Sequence, residues 1–175
     1  MYVDNLTLNP KYKFDIDFDK DSIKVFDPKI DPELLYDLQE WTEQVHLTFP
    51  DNDTAFHYFG KLWTKDLQDT LRHLIAPYLW ENAKIIPHHI WFHTYGPKDK
   101  MDAHHHIGCD KSGILYLNEV GSTTFIAHVP KHRPVVDIKS KPGRIVTFPS
   151  NMLHYVTPHM EEDKVRYVIA FNQVS

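Results

Sequence analysis

Lys141-Pro142-Gly143-Arg144-Ile145-Val146-Thr147-Phe148-Pro149-Ser150-Asn151-Met152-Leu153-His154-Tyr155-Val156-Thr157 is the stretch on which the fold class turns. A β-branched and aromatic run, Arg144–Phe148, ends at the turn Pro149-Ser150-Asn151, and a second short run, His154–Thr157, opens on a histidine. Short runs of this composition, bounded by turn residues, are strands rather than helices. The same character holds on both sides of it. Upstream come Ile90–Tyr95, His104–Ile107, Gly113–Asn118, Thr123–His128 and Val135–Ile138, and downstream comes Val165–Phe171. Eight short strands joined by turns over residues 88–175 predict an antiparallel sandwich or jelly roll.

Before Pro87 the period changes. Asp31-Pro32-Glu33 reads as a helix start, with a capping acid, a proline in the first helical position and an acid in the first turn. Leu34, Leu38, Trp41 and Val45 then recur at helical spacing. After the turn cluster Pro50-Asp51-Asn52-Asp53, a second helix is expected from near Thr54. It carries Leu67, Leu71, Leu74 and Ile75 on one face, and Pro77 ends or kinks it. Ahead of both, Phe14, Ile16 and Phe18 alternate in an acidic segment and suggest an edge strand. The expectation is an α+β, mainly β chain: one domain over residues 1–175, with strands and supporting helices in 1–87 and the sandwich in 88–175.

Composition narrows the function. The 175 residues are 42% hydrophobic and 25% charged, ordinary globular usage that excludes collagen-like and disordered readings. A net charge of −5 gives no general attraction to nucleic acid or anionic lipid, so neither is an expected partner. With no apolar run long enough to span a bilayer, and Met1-Tyr2-Val3-Asp4 unlike a signal peptide, the chain reads as cytoplasmic. Cys109 is the single cysteine, which rules out an intrachain disulfide and a Cys-based zinc motif. The conspicuous excess is 13 histidines.

Asp102-Ala103-His104-His105-His106 falls at the start of a predicted strand, where alternation turns His104 and His106 to one face and His105 to the other. Two imidazoles on one face can share an ion, and His154 is the leading third ligand; three facial ligands leave positions open for substrates. The plain alternative is a solvated strand end. Arg166 stands in the apolar run Val165–Asn172, where a buried guanidinium needs an anion, although Glu162 or Asp163 in water would also serve. Ser112, Ile114 and Tyr116 share a face, which directs a hydroxyl and a phenol toward one cavity.

Taken in order, His104-x-His106, Ser112-Gly113-Ile114-Leu115-Tyr116-Leu117-Asn118, Lys141 to His154 and Arg166 to Asn172 resemble the Fe(II)/2-oxoglutarate-dependent oxygenases, in particular the prolyl-hydroxylase-like branch with bacterial and phage members. The resemblance covers roughly residues 88–175. It implies a double-stranded β-helix, with His104 and His154 as iron ligands and Arg166 gripping the distal carboxylate of 2-oxoglutarate. It places Tyr116, Tyr95 and Ser112 around that co-substrate. The implied activity is hydroxylation of a small-molecule or peptide substrate, with decarboxylation of 2-oxoglutarate to succinate.

Two departures stand out. His106 occupies the usual carboxylate position and leaves a ferrous site one unit more positive, with Asp102 and Asp110 near enough in sequence to substitute under a shifted register. Val168 stands where relatives often carry a hydroxyl. Two rival readings remain open: a three-histidine cupin-type metalloenzyme such as a thiol dioxygenase, and a non-catalytic β-sandwich binding module.

Overall fold

The computed structural model describes residues 22–48, 65–126 and 135–174. In chain order they form β1 (Lys24–Phe26), α1 (Pro32–Thr48), α2 (Lys65–Ala83), β2 (His89–Tyr95), β3 (Met101–His104), β4 (Lys111–Tyr116), β5 (Ser122–Ile126), β6 (Val135–Lys139), β7 (Ile145–Pro149), β8 (Leu153–Val156) and β9 (Arg166–Gln173). The expected alternation at Phe14–Phe18 and the expected helix start near Thr54 lie outside the described residues.

Every strand pairing is antiparallel, in two sheets ordered β1-β7-β4-β9-β2 and β3-β8-β5-β6. This is the jelly roll, or double-stranded β-helix, that the strand count predicts. Alternation along β9 divides the interior in two. Tyr167, Ile169 and Phe171 join Leu38, Leu71, Ile75 and Leu79 in a core between the larger sheet and the helices. Val168 lies on the other face, in a second core between the sheets with Tyr95, Tyr116, Phe125 and Phe148. The helices therefore cover one sheet and leave the space between the sheets for polar side chains.

Local chemistry explains the boundaries. Asp31 Oδ1 accepts from the Glu33 N–H at 3.0 Å and caps α1. Lys141-Pro142-Gly143-Arg144 closes as a turn, with the Arg144 N–H donating to the Lys141 carbonyl at 2.9 Å and Gly143 at φ 80°. That left-handed angle is what a Pro-Gly type II turn demands of its third residue. Gly113 lies beneath the Phe171 ring, where a Cβ would overlap the ring and crowd the Val146 carbonyl.

Two expectations are corrected. Pro77 does not end α2, which runs through it to Ala83. Pro77 and His73, whose carbonyl loses its partner, both lie on the exposed face, while Leu71, Ile75 and Leu79 anchor the buried one. Leu74, expected on the apolar stripe, is 39% exposed and stands outside the buried core. No helix among the described residues is long and apolar enough to cross a membrane.

Candidate metal centre

His104 ends β3 and pairs across the ladder with His154 of β8, with their ring centroids 4.2 Å apart. His106 lies two residues beyond the strand, held by its N–H donating to the Ser150 carbonyl at 2.7 Å. Its ring centroid is 5.5 Å from His104 and 5.1 Å from His154. One ring nitrogen from each histidine falls within 4.8 Å of the others, close enough to share an ion.

The expected mechanism of convergence needs correction. The sequence pattern predicts a strand over His104–Ile107, but β3 spans Met101–His104, so simple alternation does not bring His104 and His106 together. The β3–β8 register is irregular, and the chain leaves the ladder after His104 to fold over the Ser150 turn.

Hydrogen bonds fix which nitrogen each ring presents. His104 Nδ1 is 2.9 Å from the Asp102 carbonyl, and His154 Nδ1 is 3.0 Å from the Met152 carbonyl. A carbonyl only accepts, so each Nδ1 carries the proton and each Nε2 keeps its lone pair. His106 Nδ1 meets Ser112 Oγ and Asn172 Oδ1, each at 2.8 Å. Ser112 itself donates to Asn172 Oδ1 at 2.7 Å, so both oxygens act as acceptors toward His106 as well.

Burial keeps the three imidazoles neutral. It pushes His154 down to about 3, with His104 adding to the effect, and lowers His104 and His106 in the same direction. His154 is only 5% exposed, walled by Phe148 at 4.7 Å and Phe125 at 5.9 Å between ring centroids. Three neutral Nε2 donors in a partly dry site suit a borderline divalent transition ion and not magnesium or calcium. Asp102 is exposed and pairs with Lys100 at 3.1 Å, and Asp110 is exposed. Neither joins the cluster, which among the described residues consists of the three histidines.

A second polar group lies between the sheets. Arg166 is 1% exposed, yet no carboxylate among the described residues pairs with it. Its Nη2 donates to Thr123 Oγ1 at 2.6 Å and its Nε to Ser140 Oγ at 3.3 Å, with the guanidinium 4.9 Å from the Tyr95 ring and 5.4 Å from the Tyr116 ring. Nη1 is buried without a hydrogen-bond partner among the described residues. Glu162 and Asp163, the alternative partners, are exposed. Thr123 Oγ1 also accepts from the Tyr116 hydroxyl at 2.9 Å, so its own proton is left to donate. Burial raises both Tyr95 and Tyr116 against the pull of Arg166, which keeps the phenols protonated.

The ladder relates the two groups. Arg166 holds Thr123, and His154 pairs with Phe125, two residues along β5. That is an offset of about 6.6 Å.

Arg166, Tyr95 and Tyr116 thus form one cluster, and His104, His106 and His154 another. Ser112, expected beside the co-substrate, sits behind His106 with its hydroxyl engaged there. Thr123 and Ser140, which meet Arg166, and Asn172, which meets His106, are residues that the sequence did not single out, because hydroxyls and amides are ordinary in strands until the sheets close. Only Asn172 left a trace, as a polar end to the apolar run after Arg166.

No protein-family model and no curated protein sequence matches the chain. Its fold is similar to that of solved structures. A Pseudomonas putida prolyl-4-hydroxylase aligns at TM-score 0.59 and 15% identity, over 88% of this chain and 89% of that one. SnoK, a non-haem α-ketoglutarate-dependent carbocyclase from nogalamycin biosynthesis, aligns at 0.61 and 10%, over 87% and 80%. A Trichoplax adhaerens prolyl hydroxylase, solved with a hypoxia-inducible-factor peptide, aligns at 0.57 and 14%, over 87% and 83%. The shared feature at these identities is the jelly-roll architecture.

Proposed function

We propose that this chain is a cytoplasmic non-haem Fe(II)/2-oxoglutarate-dependent dioxygenase that hydroxylates a small-molecule or peptide substrate. The observation that carries this reading is Arg166, a buried guanidinium with a free Nη1 and no acidic partner among the described residues, in the same inter-sheet space as a three-histidine donor set. A buried unpaired cation is costly unless a ligand supplies the anion. The offset of about 6.6 Å along β5 matches the scale of a short dicarboxylate.

In this reading His104, His106 and His154 hold the metal through Nε2. Arg166 Nη1 and the Thr123 hydroxyl hold the distal carboxylate of 2-oxoglutarate, and Thr123 supplies from the facing sheet the hydroxyl that Val168 lacks. Tyr95 and Tyr116 flank the guanidinium, while Phe125 and Phe148 exclude water around His154. When bound, the ferrous ion and 2-oxoglutarate supply the consumption of dioxygen, the release of CO2 and succinate, and transfer of a hydroxyl to a substrate C–H bond. Trp91, 6.0 Å from the His106 ring between centroids, and the segment 96–103 form one wall of the substrate entrance.

The test is succinate formation by the iron-loaded protein against panels of peptides, amino acids, nucleosides and small metabolites. Substrate-dependent succinate supports the reading. Oxidation of a thiol without 2-oxoglutarate would move the chain to the three-histidine thiol dioxygenases, whose ligand set it shares.

A further inference from the structure

His104 and His154 have their Nδ1 protons fixed by the carbonyls of Asp102 and Met152, each two residues back on its own segment. Those locks come with the backbone. His106 lies beyond the end of β3, and its Nδ1 is met by side chains from two strands of the opposite sheet, Ser112 on β4 and Asn172 on β9. The two residues are also ladder partners, which brings their side chains to one point. Asn172 Oδ1 receives both the Ser112 hydroxyl and the His106 ring N–H.

We propose that Asn172, acting with Ser112, is the positioning residue that makes His106 a metal ligand, by holding its imidazole as the Nδ1–H tautomer with the Nε2 lone pair toward His104 and His154. The proposal rests on the metal reading given above. A carboxylate in this position would offer lone pairs from either oxygen and would need no tautomer control. A neutral imidazole offers one only on its unprotonated nitrogen. Without the lock, the ring populates the Nε2–H form, which presents a proton to the metal instead. Outer partners of metal-bound histidines typically contribute 10–100-fold in metal affinity.

The experiment uses full-length protein with 15N-labelled histidine. Two-bond 1H–15N spectra of the metal-free form report each ring's tautomer, and Co2+ titration then reports affinity. The wild type is expected to show His104, His106 and His154 all as Nδ1–H. In Asn172→Leu, His106 alone shifts toward Nε2–H, and Co2+ binds about 10–100-fold more weakly. Ser112→Ala, which removes one of the two oxygens, should move both readouts the same way by less, and it serves if Asn172→Leu does not fold. A general structural disturbance would shift all three rings.

The proposal is overturned if His106 is Nε2–H in the wild type, or remains fully Nδ1–H in the variants. It is also overturned if Co2+ affinity stays within about twofold of wild type after the tautomer is lost. A wild type that shows the lock but binds no Co2+ would sink the metal reading and this proposal with it, whereas intact Co2+ binding without the lock sinks the proposal alone.

Discussion

Replacing Arg166 with methionine separates a residue kept for a ligand from one kept for the fold, because the two roles predict opposite results with and without 2-oxoglutarate. Methionine preserves much of the side-chain length and removes the charge. What is lost in the free protein is two hydrogen bonds to hydroxyls and two ring contacts. Hydrogen bonds from a charged group contribute about 1.5–3 kcal/mol each, and cation–π contacts about 0.5–2 kcal/mol. Against that, the wild type bears the several kcal/mol cost of a buried cation without a counter-charge. The terms largely offset.

The ligand-free variant should therefore unfold within about 5 °C of wild type, since 1 kcal/mol corresponds to about 2–4 °C at this chain length. On the ligand side nothing cancels. Stranding the carboxylate should cost about 2–5 kcal/mol, a loss of roughly 30- to 4,000-fold in affinity at 1.4 kcal/mol per tenfold. Thermal unfolding of metal-loaded protein, with and without 2-oxoglutarate, reads both. At 100 times the wild-type Kd the ligand stabilises the wild type by about 2.7 kcal/mol, a rise of about 5–11 °C, whereas Arg166→Met should rise by at most about 2–4 °C at the 30-fold end of that loss and by essentially nothing at the other. If the free variant falls by more than about 10 °C while wild type ignores 2-oxoglutarate, Arg166 is a structural residue and the reasoning fails.

Three further outcomes follow from the same structure. His105→Ala should leave metal stoichiometry intact, while His104→Ala and His154→Ala abolish it; elemental analysis of purified variants checks this, and equal loss from His105→Ala would put the wrong ring in the site. Gly113→Ala should destabilise the fold by about 1–3 kcal/mol through overpacking against Phe171; urea denaturation measures it, and an unchanged midpoint contradicts the packing. Because the folded-state imidazoles are depressed below 6.5, with His154 at about 3, the unfolded chain takes up protons first as the pH falls. Metal-free protein should thus lose stability from about pH 6.5 toward pH 3 and vary little from these groups above pH 7. His154→Leu should flatten that dependence in urea titrations at pH 7.5 and 5, and an identical slope would contradict it.

Legibility differed by residue for physical reasons. The strands from His89 to Gln173 were readable because β-branched runs between Pro and Gly turns have few other solutions, and the observed bounds differ mostly by one or two residues. β3 is the exception: histidines carry no strong strand preference, and the irregular ladder at Met101–His104 is set by β8 rather than by local sequence. Arg166 was visible because a charge inside an apolar run is anomalous by itself. Thr123, Ser140 and Ser112 were not assignable to their present roles, since what a hydroxyl does is determined by which strand lies opposite. Pro77 does not end α2, and the His73 carbonyl that loses its partner there lies on the exposed side, where water can satisfy it.

In the proposed function three histidines and Arg166 together bind one metal ion and one 2-oxoglutarate. Anaerobic titration of the iron-loaded protein with 2-oxoglutarate, followed in the visible spectrum, tests both halves at once. One iron per chain is expected, with a weak charge-transfer band that saturates at one equivalent of 2-oxoglutarate. Iron bound at full stoichiometry with no band and no detectable 2-oxoglutarate binding would contradict that function.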